Sequence, residues 1–208
     1  MQNHFKKLCI DEKWIRPLAM GYFVLRFALP LEAAVGVFLF PGWLAFYGTC
    51  LVAPGVVFLI RPCPVWLTRP VRKAWLLGVA GGLMALALYL CVDALNFNTQ
   101  VHVSGRRIIH FFELLPSKLV MAVGEEIFFR GFLQESLRAR GWGLFPTICV
   151  SAFLFFLAHG YHPPVYWAAT FPYGLILGWV AFRTRSIWPS ALGHAMGNAS
   201  VAFVTRLG

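Results

Sequence analysis

Two adjacent carboxylates, Glu125 and Glu126, are followed at four-residue spacing by Arg130, within a run of Phe, Ile, Leu and Val. Two other apolar stretches carry imidazoles, as Phe155-x-x-x-His159 and His194-x-x-x-Asn198. On a helix, residues four apart share a face. Glu126 and Arg130 can therefore pair, and His194 and Asn198 can aim donors at one point. Glu125 is displaced by about 100° around the helix axis, so it is the carboxylate expected to face a polar cavity.

These groups define a chemistry. A carboxylate can take a proton from water, and an imidazole can orient that water. A second imidazole and a carboxamide can donate hydrogen bonds to a developing oxyanion. The set suits attack of water on a peptide carbonyl in a low-dielectric site. Glu125 is the candidate base, His159 its partner, and His194 with Asn198 the oxyanion site. Glu126 and Arg130 support the site as a buried ion pair, an arrangement that equally serves to lock helices together. The chain has no Gly-x-Ser-x-Gly and no His-Glu-x-x-His, the spacings of a serine nucleophile and a zinc helix.

The elements that must position these groups are membrane helices. Of 208 residues, 59% are hydrophobic and 12% charged, and the mean hydropathy is +0.69. A water-soluble domain is typically about 25% charged. Twenty Phe and eight Trp do not suit a water-facing surface. The net charge of +10 would suggest nucleic acid in a soluble protein, but here the basic residues punctuate apolar runs, which is a membrane-orientation pattern. The five cysteines (Cys9, Cys50, Cys63, Cys91 and Cys149) form no Cys-x-x-Cys pair and read as small apolar filler. No cofactor is called for.

A spanning helix needs about 20 mostly apolar residues. Seven stretches qualify, at 18–40, 43–60, 74–95, 116–133, 144–157, 165–182 and 187–204. The first contains Arg26 and Glu32 and lacks a small-residue cleavage site, so it reads as a retained span. Segment 106–115 reads as an interfacial helix or as the start of the fourth span. With the N-terminus inside, Lys6, Lys7, Arg72, Lys73, Arg138, Arg140, Arg183 and Arg185 all fall on the inner side, as the positive-inside rule requires. The expected fold is all-α, a polytopic transmembrane bundle. A basic N-terminus occupies 1–17, N-terminal spans and a connecting segment occupy 18–115, and the catalytic core occupies 116–208. Small-residue pairs Gly174/Gly178 and Gly193/Gly197 mark expected close helix contacts.

The three motifs, each on its own apolar segment and in this order, resemble those of the CAAX prenyl protease and bacteriocin-processing (CPBP/Abi) family of glutamate-type intramembrane proteases. The family pattern is Glu-Glu-x-x-x-Arg, Phe-x-x-x-His and His-x-x-x-Asn/His, and the resemblance covers about residues 116–207. It implies that Glu125 activates water with His159, that His194 and Asn198 form the oxyanion site, and that no metal is required. It implies an integral protein of a bacterial inner membrane acting on a protein or peptide substrate that is membrane-anchored or exported. Family members mature prenylated proteins, process peptides, act in bacteriocin immunity or sort exported proteins. The alternatives are a metal-dependent protease, a non-catalytic immunity or scaffold protein of the same fold, and a transporter using the same acids.

Overall fold

Between Lys73 and Asp93 the chain carries no charge, and this stretch forms helix α1 (Arg72–Leu95). Its 24 residues extend about 36 Å at 1.5 Å per residue, enough to cross a bilayer core. The computed structural model describes residues 69–95, 99–159 and 166–206. Among these residues α1 is the one helix both long and apolar enough to cross a membrane by length and composition. The stretches at 18–40 and 43–60 lie outside the described residues, as do Arg26 and Glu32.

After α1 come β1 (Thr99–Val101), α2 (Gly105–Glu126), a π-helical segment (Ile127–Gln134), α3 (Glu135–Ala139) and α4 (Leu144–Ala158). Then follow α5 (Trp167–Thr184), α6 (Ile187–Asn198), a 3-10 turn (Ala199–Phe203) and β2 (Val204–Arg206). The described chain is mainly helical, as expected. The strands are an addition: they pair antiparallel, Thr99 opposite Arg206 and Val101 opposite Val204.

Two boundaries differ from expectation. The fourth apolar stretch does not begin at Pro116, because Ser104 caps a helix that starts at Gly105, its hydroxyl accepting from the Arg107 N–H at 3.4 Å. Residues 106–115 are thus the first turns of α2, and Pro116 is carried inside it. The helical path then continues unbroken, since Glu126, Ile127, Gln134 and Glu135 all keep right-handed helical dihedrals. The last stretch was expected to run to Val204, but α6 stops at Asn198. Beyond it the backbone is claimed by β1 and by Arg107, whose guanidinium donates to Ala202 O at 3.1 Å and Thr205 Oγ1 at 2.7 Å.

Close approaches fix how the helices run. A Cβ on Gly78 would lie 2.5 Å from Pro189 O, and one on Gly82 would lie 3.0 Å from Gly193 Cα. α1 and α6 therefore run parallel with backbones in contact. Gly174 and Gly178 of α5 lie against Ala152 and Ile148 of α4, at 3.1 and 3.2 Å from the Cβ positions, so α4 and α5 are antiparallel. A Cβ on Gly197 would meet Tyr173 Oη at 2.6 Å. Both glycine pairs noted in the sequence are thus contact points, joined by a third, Gly78/Gly82, that had not been singled out. The α5–α6 joint is tight: Arg185 adopts a left-handed conformation (φ 54°), and Ser186 then caps α6. With these directions, residues 72–73, 138–143 and 183–186 gather at one end of the bundle, and the strands lie at the other.

Candidate active site

Glu125 and Glu126 end α2 where the helix widens into the π segment. Such widened turns recur at functional sites, because an extra residue per turn re-aims the side chains that follow. Here the segment directs Arg130 and Gln134 onto α5, where they donate to Gly174 O at 3.2 Å and Gly178 O at 3.0 Å. From α4, the Ser151 hydroxyl donates to Phe129 O at 3.0 Å.

Glu126 is fully buried and clasped from three sides. Arg130 Nη1 lies 3.1 Å from Oε1, His194 Nδ1 donates to Oε1 at 2.8 Å, and the Ser190 hydroxyl donates to Oε2 at 2.5 Å. The Arg130 guanidinium also sits 4.6 Å over the Phe155 ring. Burying two charges is costly, and persists only where geometry and extra hydrogen bonds satisfy both ions. Glu126 meets the condition, paired as its spacing from Arg130 led one to expect. Arg130 is held by that ion pair and by its Nη2 bond to Gly174 O; beyond the ion pair, its buried Nε and Nη1 have no hydrogen-bond partner among the described residues.

Glu125 faces elsewhere. Its Oε2 lies 3.5 Å from His159 Nε2 and 3.7 Å from His194 Nε2. Both separations are longer than a normal hydrogen bond. The tautomers follow from the partners on the other ring nitrogens. His159 Nδ1 is 2.8 Å from Phe155 O, and a carbonyl only accepts, so that nitrogen carries the hydrogen. His194 Nδ1 likewise donates to the Glu126 carboxylate. In their neutral forms both rings therefore turn a lone pair on Nε2 toward Glu125. His159 caps the C-terminus of α4 and packs its ring against Phe155 at a tilt of 37°, ring centroids 4.3 Å apart.

The structure thus brings Glu125, Glu126, Arg130, His159 and His194 together. Asn198 closes α6 one turn beyond His194 and is half-buried. Among the described residues no hydrogen bond joins its side chain to that group. Among the same residues, no three His, Cys, Asp or Glu side chains are gathered so as to hold a metal ion.

Three participants were not anticipated. Ser190 supports Glu126, and Tyr173, buried on α5, donates to His194 O at 2.6 Å with its ring edge-on to the imidazole. Gln134 is the third. Ser190–His194–Asn198 and Glu126–Arg130–Gln134 are both four-residue series on one face, a signal present in the sequence. Tyr173 has no such signal. Asp93, buried at the end of α1, accepts from the Tyr166 hydroxyl at 2.6 Å.

Residues 108–200 match the model of a protein family described as Type II CAAX prenyl endopeptidase Rce1-like. This stretch is similar to an Rce1-like domain. Comparison with curated proteins and with solved structures gives no match. The matched stretch runs from the first turn of α2 to the end of α6 and contains every side chain of the site. The family implies a protease, a membrane-embedded hydrolase of the peptide bond.

Proposed function

We propose that the protein is a glutamate-type intramembrane endopeptidase. Glu125 takes a proton from a substrate water, and His159 orients that water while Glu125 acts. His194 and Asn198 hold the oxyanion that forms on the scissile carbonyl. Because the His194 Nδ1–H stays on Glu126, this role requires the doubly protonated ring, which donates from Nε2 as well. The observation that carries this reading is the approach of two imidazole Nε2 atoms to one carboxylate oxygen of Glu125, at 3.5 and 3.7 Å. The second carboxylate supports it differently. Glu126 spends its acceptors on Arg130, Ser190 and His194 and so leaves the chemistry to its neighbour. General-base action contributes about 10²–10⁴-fold in rate, and a preorganised oxyanion donor contributes about 10²–10³-fold.

The substrate in this reading is a membrane-associated or exported protein, and the family's description makes a prenylated C-terminal peptide one probe. Seven spans place the N-terminus inside and Gly208 outside a bacterial inner membrane. Residues 116–208 form the catalytic core, opening toward the outer face. A tag at Gly208 reached only from the cytoplasmic side would overturn that topology.

The test of the reaction incubates the full-length protein and its Glu125→Gln variant with membrane proteins of the host, then compares new peptide termini. The expected result is a set of termini made by the wild type, persisting in a strong chelator, and absent with the variant. Identical termini from both would remove the protease reading and favour a non-catalytic immunity or scaffold role.

A further inference from the structure

The end of the bundle away from the strands has a composition of its own. Arg72 and Lys73 start α1, Arg138 and Arg140 end α3, and Arg183 and Arg185 flank the α5–α6 joint. Among the described residues one acid, Glu135, accompanies them, and it is already paired with Arg138 at 2.5 Å. Exposed tryptophans ring the same end: Trp75 at 39%, Trp142 at 44% and Trp188 at 38%. Phe145, in the first turn of α4, is 78% exposed.

This cationic face is held in place. Arg130 to Gly174 and Gln134 to Gly178 are two rungs of a ladder between the π segment and α5. Arg138 adds a third at the same four-residue step, its guanidinium 4.7 Å over the Phe182 ring. The ladder sets the Arg138 end of α3 against the C-terminal turn of α5, which carries Arg183. Arg140 is further tied back to Ser136 O at 3.0 Å. Arg185 occupies the left-handed position where glycine is the unstrained choice. The chain therefore places a charge there against its conformational preference.

We infer that this end binds the phosphodiester headgroups of anionic lipids. Guanidinium forks match phosphate oxygens in a bidentate way. Indoles suit the level between headgroup and acyl chain, and an exposed phenylalanine suits the acyl region. A soluble acidic partner would use the arginines and leave Trp142, Trp188 and Phe145 in water. A bilayer leaflet satisfies all three layers. The inference stands apart from the proposed hydrolysis, since none of these residues belongs to the Glu125 site.

The experiment places the full-length protein in nanodiscs and measures tryptophan quenching by lipids brominated on their acyl chains. Phosphatidylglycerol is compared with phosphatidylcholine at equal mole fraction. For the wild type, brominated phosphatidylglycerol should quench about twofold more strongly, because basic side chains at the surface enrich anionic lipid. Arg140→Gln combined with Arg183→Gln, both exposed positions, should bring the two lipids to equality, with unchanged thermal unfolding in neutral lipid. Equal quenching in the wild type would overturn the inference. So would a preference that survives the double substitution, which would assign the lipid to other basic residues. A preference abolished by inorganic phosphate, but not by chloride at matched ionic strength, would point to a free-anion site and overturn the lipid assignment.

Discussion

Helix α6 is gripped on two sides by different physics. On one side, Ser190 and His194 hold the Glu126–Arg130 pair through short, charge-assisted contacts of 2.5 to 3.1 Å. On the other, Gly193 lies against Gly78 and Gly82 of α1, with backbone atoms as the contact surface. The polar grip depends on direction, and in a low-dielectric interior a misplaced partner leaves a charge exposed to apolar surroundings. The glycine seam depends on distance and tolerates any rotation that keeps the backbones close. Together they place the His194 imidazole within reach of Glu125, the seam setting where α6 runs and the clasp setting which way it faces.

The comparison can be broken most sharply at Glu126. Glu126→Leu leaves Arg130 buried without its carboxylate and should destabilise by about 3–5 kcal/mol, read as thermal unfolding in detergent. Adding Arg130→Met should recover much of that loss, since an apolar pair avoids the desolvation penalty. A double variant no better than the single would show that the clasp is more than an ion pair. The seam is the next largest effect. Gly78→Ala drives a Cβ to 2.5 Å from Pro189 O, a backbone atom with little freedom to yield, and overpacking of this kind costs about 1–3 kcal/mol. A neutral result would mean that α1 is not pressed against α6.

Tyr173→Phe sharpens the comparison, because Tyr173 touches the far side of the His194 turn. Loss of its bond to His194 O should cost about 1 kcal/mol and lower hydrolysis more than it lowers the unfolding temperature. Equal, small effects on both would make Tyr173 purely structural. The smallest effect lies at Glu135, a half-buried carboxylate paired with Arg138 rather than held in a three-sided clasp. Burial pushes its carboxyl above the ordinary 4.5, against the opposing pull of Arg138. The folded protein therefore holds that proton more tightly than the unfolded chain. Its contribution is present below pH 4.5 and is lost as pH rises through the raised value. Unfolding temperature should decline over that window in the wild type and stay flatter in Glu135→Gln. Parallel pH profiles would show that Glu135 carries no such linkage.

Much of the site was readable because helical periodicity is a local rule. The Glu126–Arg130 and His194–Asn198 spacings state which side chains share a face before any packing is known, and the separation of Glu125 from Glu126 follows from the same geometry. The ends of elements were less readable, since they depend on partners distant in the chain. Pro116 resembles a helix start, yet Ser104 caps the helix earlier. Val204 resembles the end of an apolar span, yet the edge of Thr99–Val101 takes its backbone. Tyr173 carried no pattern, because its role exists only once α5 lies beside the His194 turn.

The chain's own order of residue types determined that apolar helices would carry two acids, an arginine and two imidazoles, and which of these lie on a common face. Charges in such segments persist only when paired, which made them visible at once. Which helices meet, and at what depth, was decided by tertiary structure. Backbone contacts at Gly78, Gly82 and Gly193, together with the widened turn after Glu126, bring His159 and His194 onto one oxygen of Glu125. No local rule can specify that meeting, because it is the sum of close approaches between segments far apart in the chain.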